Sequence, residues 1–339
     1  MDKVLQLKDV LAIAAKSPDL PADVKSKDIS SGSSGQVHDA FTNQGGTIVK
    51  SPQIYNVFIG DWSGITSKLR ATNLDTFIQD LLTSDWMNVL TEYNDSLAGS
   101  KFMGSIFLPS PSDTLLGSDV QKLLISAIKS KQLAEPIGNS SVYMVFLADG
   151  TSITDAALGV AMCQKNSDTA FGYHSMFTSA KSNTGYFSVI PSLNDACLTY
   201  TCLGGAGCSL SLSSNQEQRQ TQVASHELAE TLTNPSGKAW YDNKSGDEIG
   251  DICNGNSTTI KVGVNSWVVQ KMYSKKEDLA TGGKTYCVGT ASKITGKSTD
   301  PVVSSFPVKS VIIGTYAFGG ALLFYAIVKY IIHHTRKKV

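Results

Sequence analysis

The sequence predicts an α/β domain followed by one membrane-spanning helix near the C-terminal end, and three patterns carry that prediction. Short apolar runs rich in β-branched and aromatic residues, QIYNVFIGDW (53–62) and SVYMVFLADG (141–150), run into Gly and Asp, as buried strands do. Between them, Leu74, Phe77, Ile78, Leu81 and Leu82 recur at i, i+3, i+4, i+7 and i+8, as do Val120, Leu123, Leu124, Ala127 and Ile128, each set marking a helix with one core face. Strand, helices, strand implies a sheet layered with helices. The third pattern is the stretch of 19 uncharged residues between Lys309 and Lys329, which as a helix spans about 30 Å, the thickness of a bilayer core.

In chain order, the first 50 residues read as a short amphipathic helix followed by a polar Ser- and Gly-rich arm. The apolar stretch of that helix is too short, and too interrupted by Asp and Lys, for a signal peptide. The globular α/β domain is expected over 51–288, a stalk over 289–309, the transmembrane helix over 310–332 and a basic tail over 333–339. A single-pass protein of a cellular or viral membrane follows, with the lipid bilayer as one partner and sidedness left open. Ala317 and Ala321, with Gly320 adjacent, form a small-xxx-small pair that permits anchor-mediated homo-oligomers.

The charge balance excludes a domain held to nucleic acid by bulk positive charge, since 29 Lys and Arg face 29 Asp and Glu. Six cysteines, Cys163, Cys197, Cys202, Cys208, Cys253 and Cys287, form no CxxC, so a zinc ribbon is not expected. They are left as disulfides or buried thiols, the 197/202/208 cluster favouring at least one bridge. No Gly-x-Ser-x-Gly elbow and no phosphate-binding loop occurs, which argues against nucleotide chemistry.

The chemistry concentrates in residues 213–255. Ser214 and Glu217 have capping-box spacing and Pro235 follows Asn234, which predicts a helix of about five turns. Ala224, Leu228 and Leu232 form its apolar stripe, while His226 and Glu230, four apart, project side by side from another face. This is the spacing of the metal-binding His-Glu-x-x-His helix with the second histidine replaced by a carboxylate, which can also ligate zinc. Glu227 is then the general base, and Asp242, Glu248 or Asp251 supplies a third ligand. A set this acidic also suits calcium or manganese. The competing reading is a helix whose His and Glu only bond neighbouring loops.

The run SHELAETLTNP, AWYD and EIGDICNG (225–255) resembles the signature of the EXORDIUM / phosphate-induced protein family of plants and its bacterial relatives, which carry His-Glu-x-x-Glu-x-x-Thr-Asn/Asp-Pro, then Trp-Tyr, then an acidic stretch ending in Asp-Leu/Ile-Cys. IYNVFIGDWS (54–63), FGYHS (171–175) and YFSVIPSLNDAC (186–197) are similar to further segments of that family. The resemblance implies a zincin-like domain with a mixed sheet and a long active-site-type helix. It also implies roles for His226, Glu227, Glu230, Glu248 and Asp251, with His174, Trp240 and Tyr241 touching substrate or supporting the ligands. The N-terminal arm and the anchor depart from the family pattern.

Two functions are expected. One is a membrane-anchored metal-dependent hydrolase of metallopeptidase type acting on a protein or peptide. The other is a non-catalytic structural or binding membrane protein, for example of a virion or envelope, that keeps the fold. An open coordination position beside a cleft distinguishes the first from the second.

Overall fold

The two apolar runs form the centre of a mixed sheet in the computed structural model, which describes residues 37–157, 159–163, 170–198 and 215–291. In chain order the elements are β1 (Phe41–Asn43), β2 (Gln53–Ile59), α1 (Ile65–Thr83), β3 (Lys101–Leu108), β4 (Thr114–Leu116), α2 (Gly117–Lys129), β5 (Ser141–Leu147), β6 (Ser152–Asp155) and β7 (Val160–Met162). They continue with β8 (Tyr173–Thr178), β9 (Thr184–Ile190), α3 (Gln216–Thr233), β10 (Trp240–Asp242), β11 (Ser257–Val262), β12 (Asn265–Gln270), β13 (Met272–Tyr273), α4 (Lys275–Thr281) and β14 (Cys287–Val288).

The main sheet has the order β3-β2-β5-β9-β8. The first four strands are parallel and β8 runs antiparallel to β9 at the edge. Parallel neighbours need crossovers, and α1 and α2 supply the first two of them. Every residue of β5 is buried, which is why its sequence is continuously apolar rather than alternating. The alternation reappears in what each side touches. Ile54, Phe58, Val142, Met144 and Phe146 face Leu74, Phe77, Ile78 and Leu81 of α1 and Ala224, Leu228 and Leu232 of α3. Tyr55, Val57, Ile59, Tyr143, Val145 and Leu147 face Val120, Leu124, Ala127 and Ile128 of α2. Each large apolar side chain so enclosed contributes about 1.5–3 kcal/mol.

The helix that bears the chemistry lies on the first face and is unusually enclosed, for every residue from Arg219 to Thr233 is buried. Its N-terminus is set one residue later than Ser214: Asn215 Oδ1 accepts from Gln218 N–H at 2.9 Å, and Gln218 Oε1 accepts from Asn215 N–H at 3.0 Å. Because the helix is polar on several sides, its neighbours satisfy it with hydrogen bonds. Thr221 Oγ1 donates to Val268 O at 2.7 Å, Ser225 Oγ accepts from Gln270 N–H at 2.9 Å, and Gln220 Nε2 donates to Pro191 O at 3.1 Å.

The polar arm expected over residues 1–50 gives its last part to the domain. β1 pairs antiparallel with β10, Phe41 opposite Asp242, and Phe41 and Val49 are fully buried. Asn94 Nδ2 donates to Val49 O and Leu232 O, at 2.6 and 2.9 Å, tying this arm to the end of α3. The polar composition of the arm hid two well-placed apolar side chains, Phe41 and Val49. At the other end Ala291 N–H donates to Asp85 O at 3.3 Å, past the boundary expected at 288.

Two disulfides join Cys163 to Cys197 and Cys253 to Cys287. Cys197 therefore pairs outside the 197/202/208 cluster, because the end of β7 lies closer to it in space than in sequence; Cys202 and Cys208 lie outside the described residues. So do the expected transmembrane helix, its small-residue pair and the basic tail. Among the described residues no helix is long and apolar enough to cross a membrane.

Candidate metal centre

Local spacing places His226 and Glu230 one turn apart on α3, and tertiary packing decides what meets them. His226 Nε2 lies 3.1 Å from Glu230 Oε2 and 3.9 Å from Asp251 Oδ1. Asp251 opens a single tight turn, Asp251–Cys253, and its Oδ2 accepts from Glu248 N–H at 3.0 Å. Three attachments hold that turn against the helix: Gly250 N–H donates to Glu230 Oε1 at 3.1 Å, Gln270 Nε2 donates to Gly250 O at 2.7 Å, and Cys253 is bonded to Cys287.

On the other side of Glu230 stands His174 of β8. Its Nδ1 is 3.7 Å from Glu227 Oε2 and 3.7 Å from Glu230 Oε2, and its Nε2 is 3.8 Å from Glu248 Oε2. Nε2 also lies 3.2 Å from the carbonyl oxygen of Asn234. A carbonyl only accepts, so Nε2 carries a proton, and Nδ1 lies on the side of Glu227 and Glu230. Glu248 Oε1 accepts from Asn234 Nδ2.

Two glycines make room for this crowding. A Cβ on Gly172, just before β8, would lie 2.5 Å from Glu227 Oε1, and one on Gly250 would lie 2.7 Å from His226 Nδ1 and 2.8 Å from Glu230 Oε1.

The donor atoms fall into two sets, His226, Glu230 and Asp251, and His174, Glu227 and Glu230, the atoms of each lying within 4.8 Å of one another. Two donors at about 2.0–2.1 Å from a tetrahedral zinc lie about 3.3–3.4 Å apart. The observed separations of 3.1, 3.7 and 3.9 Å bracket that value. Glu227 and Glu230 are fully buried and His226 is 3% exposed, and His226 Nε2 and Glu230 Oε2 make no hydrogen bond of good geometry. Burying carboxylates costs several kcal/mol each unless positive charge faces them. Burial by itself pushes the His226 imidazolium towards losing its proton, but Glu230 above all, with Glu227 and Asp251, outweighs burial and holds its pKa well above the usual histidine range. The cluster is thus built to face positive charge, and buried His and Glu groups of this kind could hold a metal ion.

Of the residues singled out from the sequence, His226, Glu227, Glu230, Glu248, Asp251 and His174 come together here. Asp242 does not join either set: its Oδ1 accepts from Lys244 N–H at 2.8 Å and Ser245 N–H at 3.2 Å, closing the turn after β10. Trp240 packs against Phe41 and Tyr93, and Tyr241 lies opposite Thr42 in the β1–β10 pair; neither belongs to the donor sets. Asn234 is the residue that sequence reasoning took only as a helix end. It bonds His174, Glu248 and the backbone of Ala239 at once, and its place before Pro235 in the LTNP run was the available signal. Compared with protein families and with curated proteins, the chain matches none.

Proposed function

We propose that this domain binds a divalent metal ion, zinc in the first instance, through His226, Glu230 and Asp251, and that it works as a membrane-anchored, zincin-like metal-dependent hydrolase on a protein or peptide. The observation that carries the reading is the meeting, at ligand-like separations, of a helical His-Glu pair with a carboxylate from a turn about twenty residues downstream. The mixed sheet backed by a long helix, and the likeness of 225–255 to the EXORDIUM family, support it. The 19-residue uncharged run supports the anchor.

A metal ion held by His226, Glu230 and Asp251 would supply Lewis acidity and a water of lowered pKa. Glu227, next along the helix, would take a proton from that water as its oxygen bonds the peptide carbonyl carbon, and would return it to the leaving amine as the C–N bond breaks. Asp251, whose side chain is 16% exposed, marks the side from which a substrate approaches. Asn234 and Gly250 hold His174, Glu248 and Glu230 in place through backbone and amide contacts.

The near-complete burial of His226, Glu227 and Glu230 favours a second reading, in which a closed ligand set only staples α3 to the 248–251 turn and no turnover occurs. The test is metal content of the purified full chain by elemental mass spectrometry, followed by cleavage of a peptide library. The hydrolase reading expects bound zinc that is lost in His226→Ala, and cleavage that is lost in Glu227→Gln while the ion held by His226 stays. Bound metal without cleavage would leave the structural reading. A folded chain that takes up no metal would end both.

A further inference from the structure

We infer that the cluster is a two-ion centre, with Glu230 the ligand common to both ions and His174 the histidine of the second. The inference rests on the metal reading above and recasts Glu227 from base to ligand. Its ground is that the donors do not form one shell. They divide into two sets, one with His226 and Asp251 and one with His174 and Glu227, that share only Glu230. Glu230 is shaped for that part. Its Oε1 is held by Gly250 N–H, while the other oxygen, Oε2, lies 3.1 Å from His226 Nε2 and 3.7 Å from His174 Nδ1.

The orientation of His174 is the second, independent ground. Metal-bound histidines characteristically give their other ring N–H to a carbonyl or carboxylate, which fixes the tautomer. Here the Asn234 carbonyl is 3.2 Å from Nε2, which leaves Nδ1 on the side of two carboxylate oxygens, each 3.7 Å away.

Ligand number points the same way. Glu227, Glu230, Glu248 and Asp251 surround the two imidazoles, six side chains where a single tetrahedral ion takes four ligands. Paired ions about 3.5–4 Å apart, clamped by shared carboxylates, are an established hydrolytic arrangement. A carboxylate-rich set of this kind takes manganese or zinc.

The test uses the full chain, stripped with chelator and then titrated with Mn²⁺ or Zn²⁺ alone. Stoichiometry is read by elemental mass spectrometry, and the manganese form by electron paramagnetic resonance. Two equivalents per chain, with a spin-coupled manganese signal, are expected. His174→Gln and Glu227→Gln should each retain about one ion and lose the coupling, with an unchanged circular dichroism spectrum as the check on folding. One equivalent with an uncoupled signal in the unaltered chain would overturn the second ion and leave the metal reading standing. So would a single ion lost alike in His174→Gln and His226→Gln, which would mean one shared position. No uptake at all would overturn the metal reading itself, and the unaltered chain decides this even if a variant fails to fold.

Discussion

Gly250 shows how little tolerance the cluster has at the scale of one side chain. A methyl group there would meet both His226 and Glu230 at under 3 Å, and the same backbone N–H that binds Glu230 would have to move. Gly250→Ala is expected to weaken metal binding by about tenfold or more, with an overpacking cost of about 1–3 kcal/mol. A competition titration with a zinc indicator, beside a thermal melt, measures both. Unchanged affinity would mean that Glu230 and His226 are not ligands. His226, Glu227 and Glu230 were readable from sequence because their relation is local, about one turn of one helix. Gly172, Gly250 and Asn234 were not, because their importance lies in what packs against them from elsewhere.

At the scale of the element, α3 departs from the usual division of a helix into one wet and one dry face. Its apolar stripe of Ala224, Leu228 and Leu232 lies in the core as the spacing predicts. The remaining faces are covered too, by β9, the β11–β12 hairpin and the 248–251 turn, so its polar side chains are enclosed with partners in place. The capping residue is a nearer miss. Ser214 and Glu217 fit a capping box by spacing, and so do Asn215 and Gln218; the reciprocal bonds are made by the second pair. Asn215→Ala is expected to cost about 1 kcal/mol, and so to lower the melting temperature by about 2–4 °C in a domain of this size. A calorimetric scan checks it, and no change would place the helix start elsewhere.

For the whole molecule, the arm before β2 and the segment after β12 close the domain from two sides. Phe41 sits among Tyr93, Trp240 and Tyr273, so this end of the arm is part of the packed core. Phe41→Ala in the full chain is expected to cost about 3–5 kcal/mol, read from urea unfolding curves. A loosely packed arm would give almost none. The Cys253–Cys287 bond closes a separation of 34 residues, worth about 3–4 kcal/mol in the chain-entropy account, and holds the turn that carries Asp251.

The sequence by itself determined the local facts: that the runs 53–62 and 141–150 contain strands, which faces of the helices are apolar, that His226 and Glu230 share a helix face, and that a 19-residue uncharged run lies before the C-terminal end. These depend on periodicity over a few turns, which is written in consecutive residues. Only the tertiary structure decided that His174 of β8 stands against Glu230, that Asp251 and not Asp242 reaches His226, that Cys197 pairs with Cys163, and that Phe41 and Val49 at the end of the arm are packed. Those relations join residues that are far apart along the chain. Chain crossing and side-chain packing set them, and neither leaves a period in the sequence.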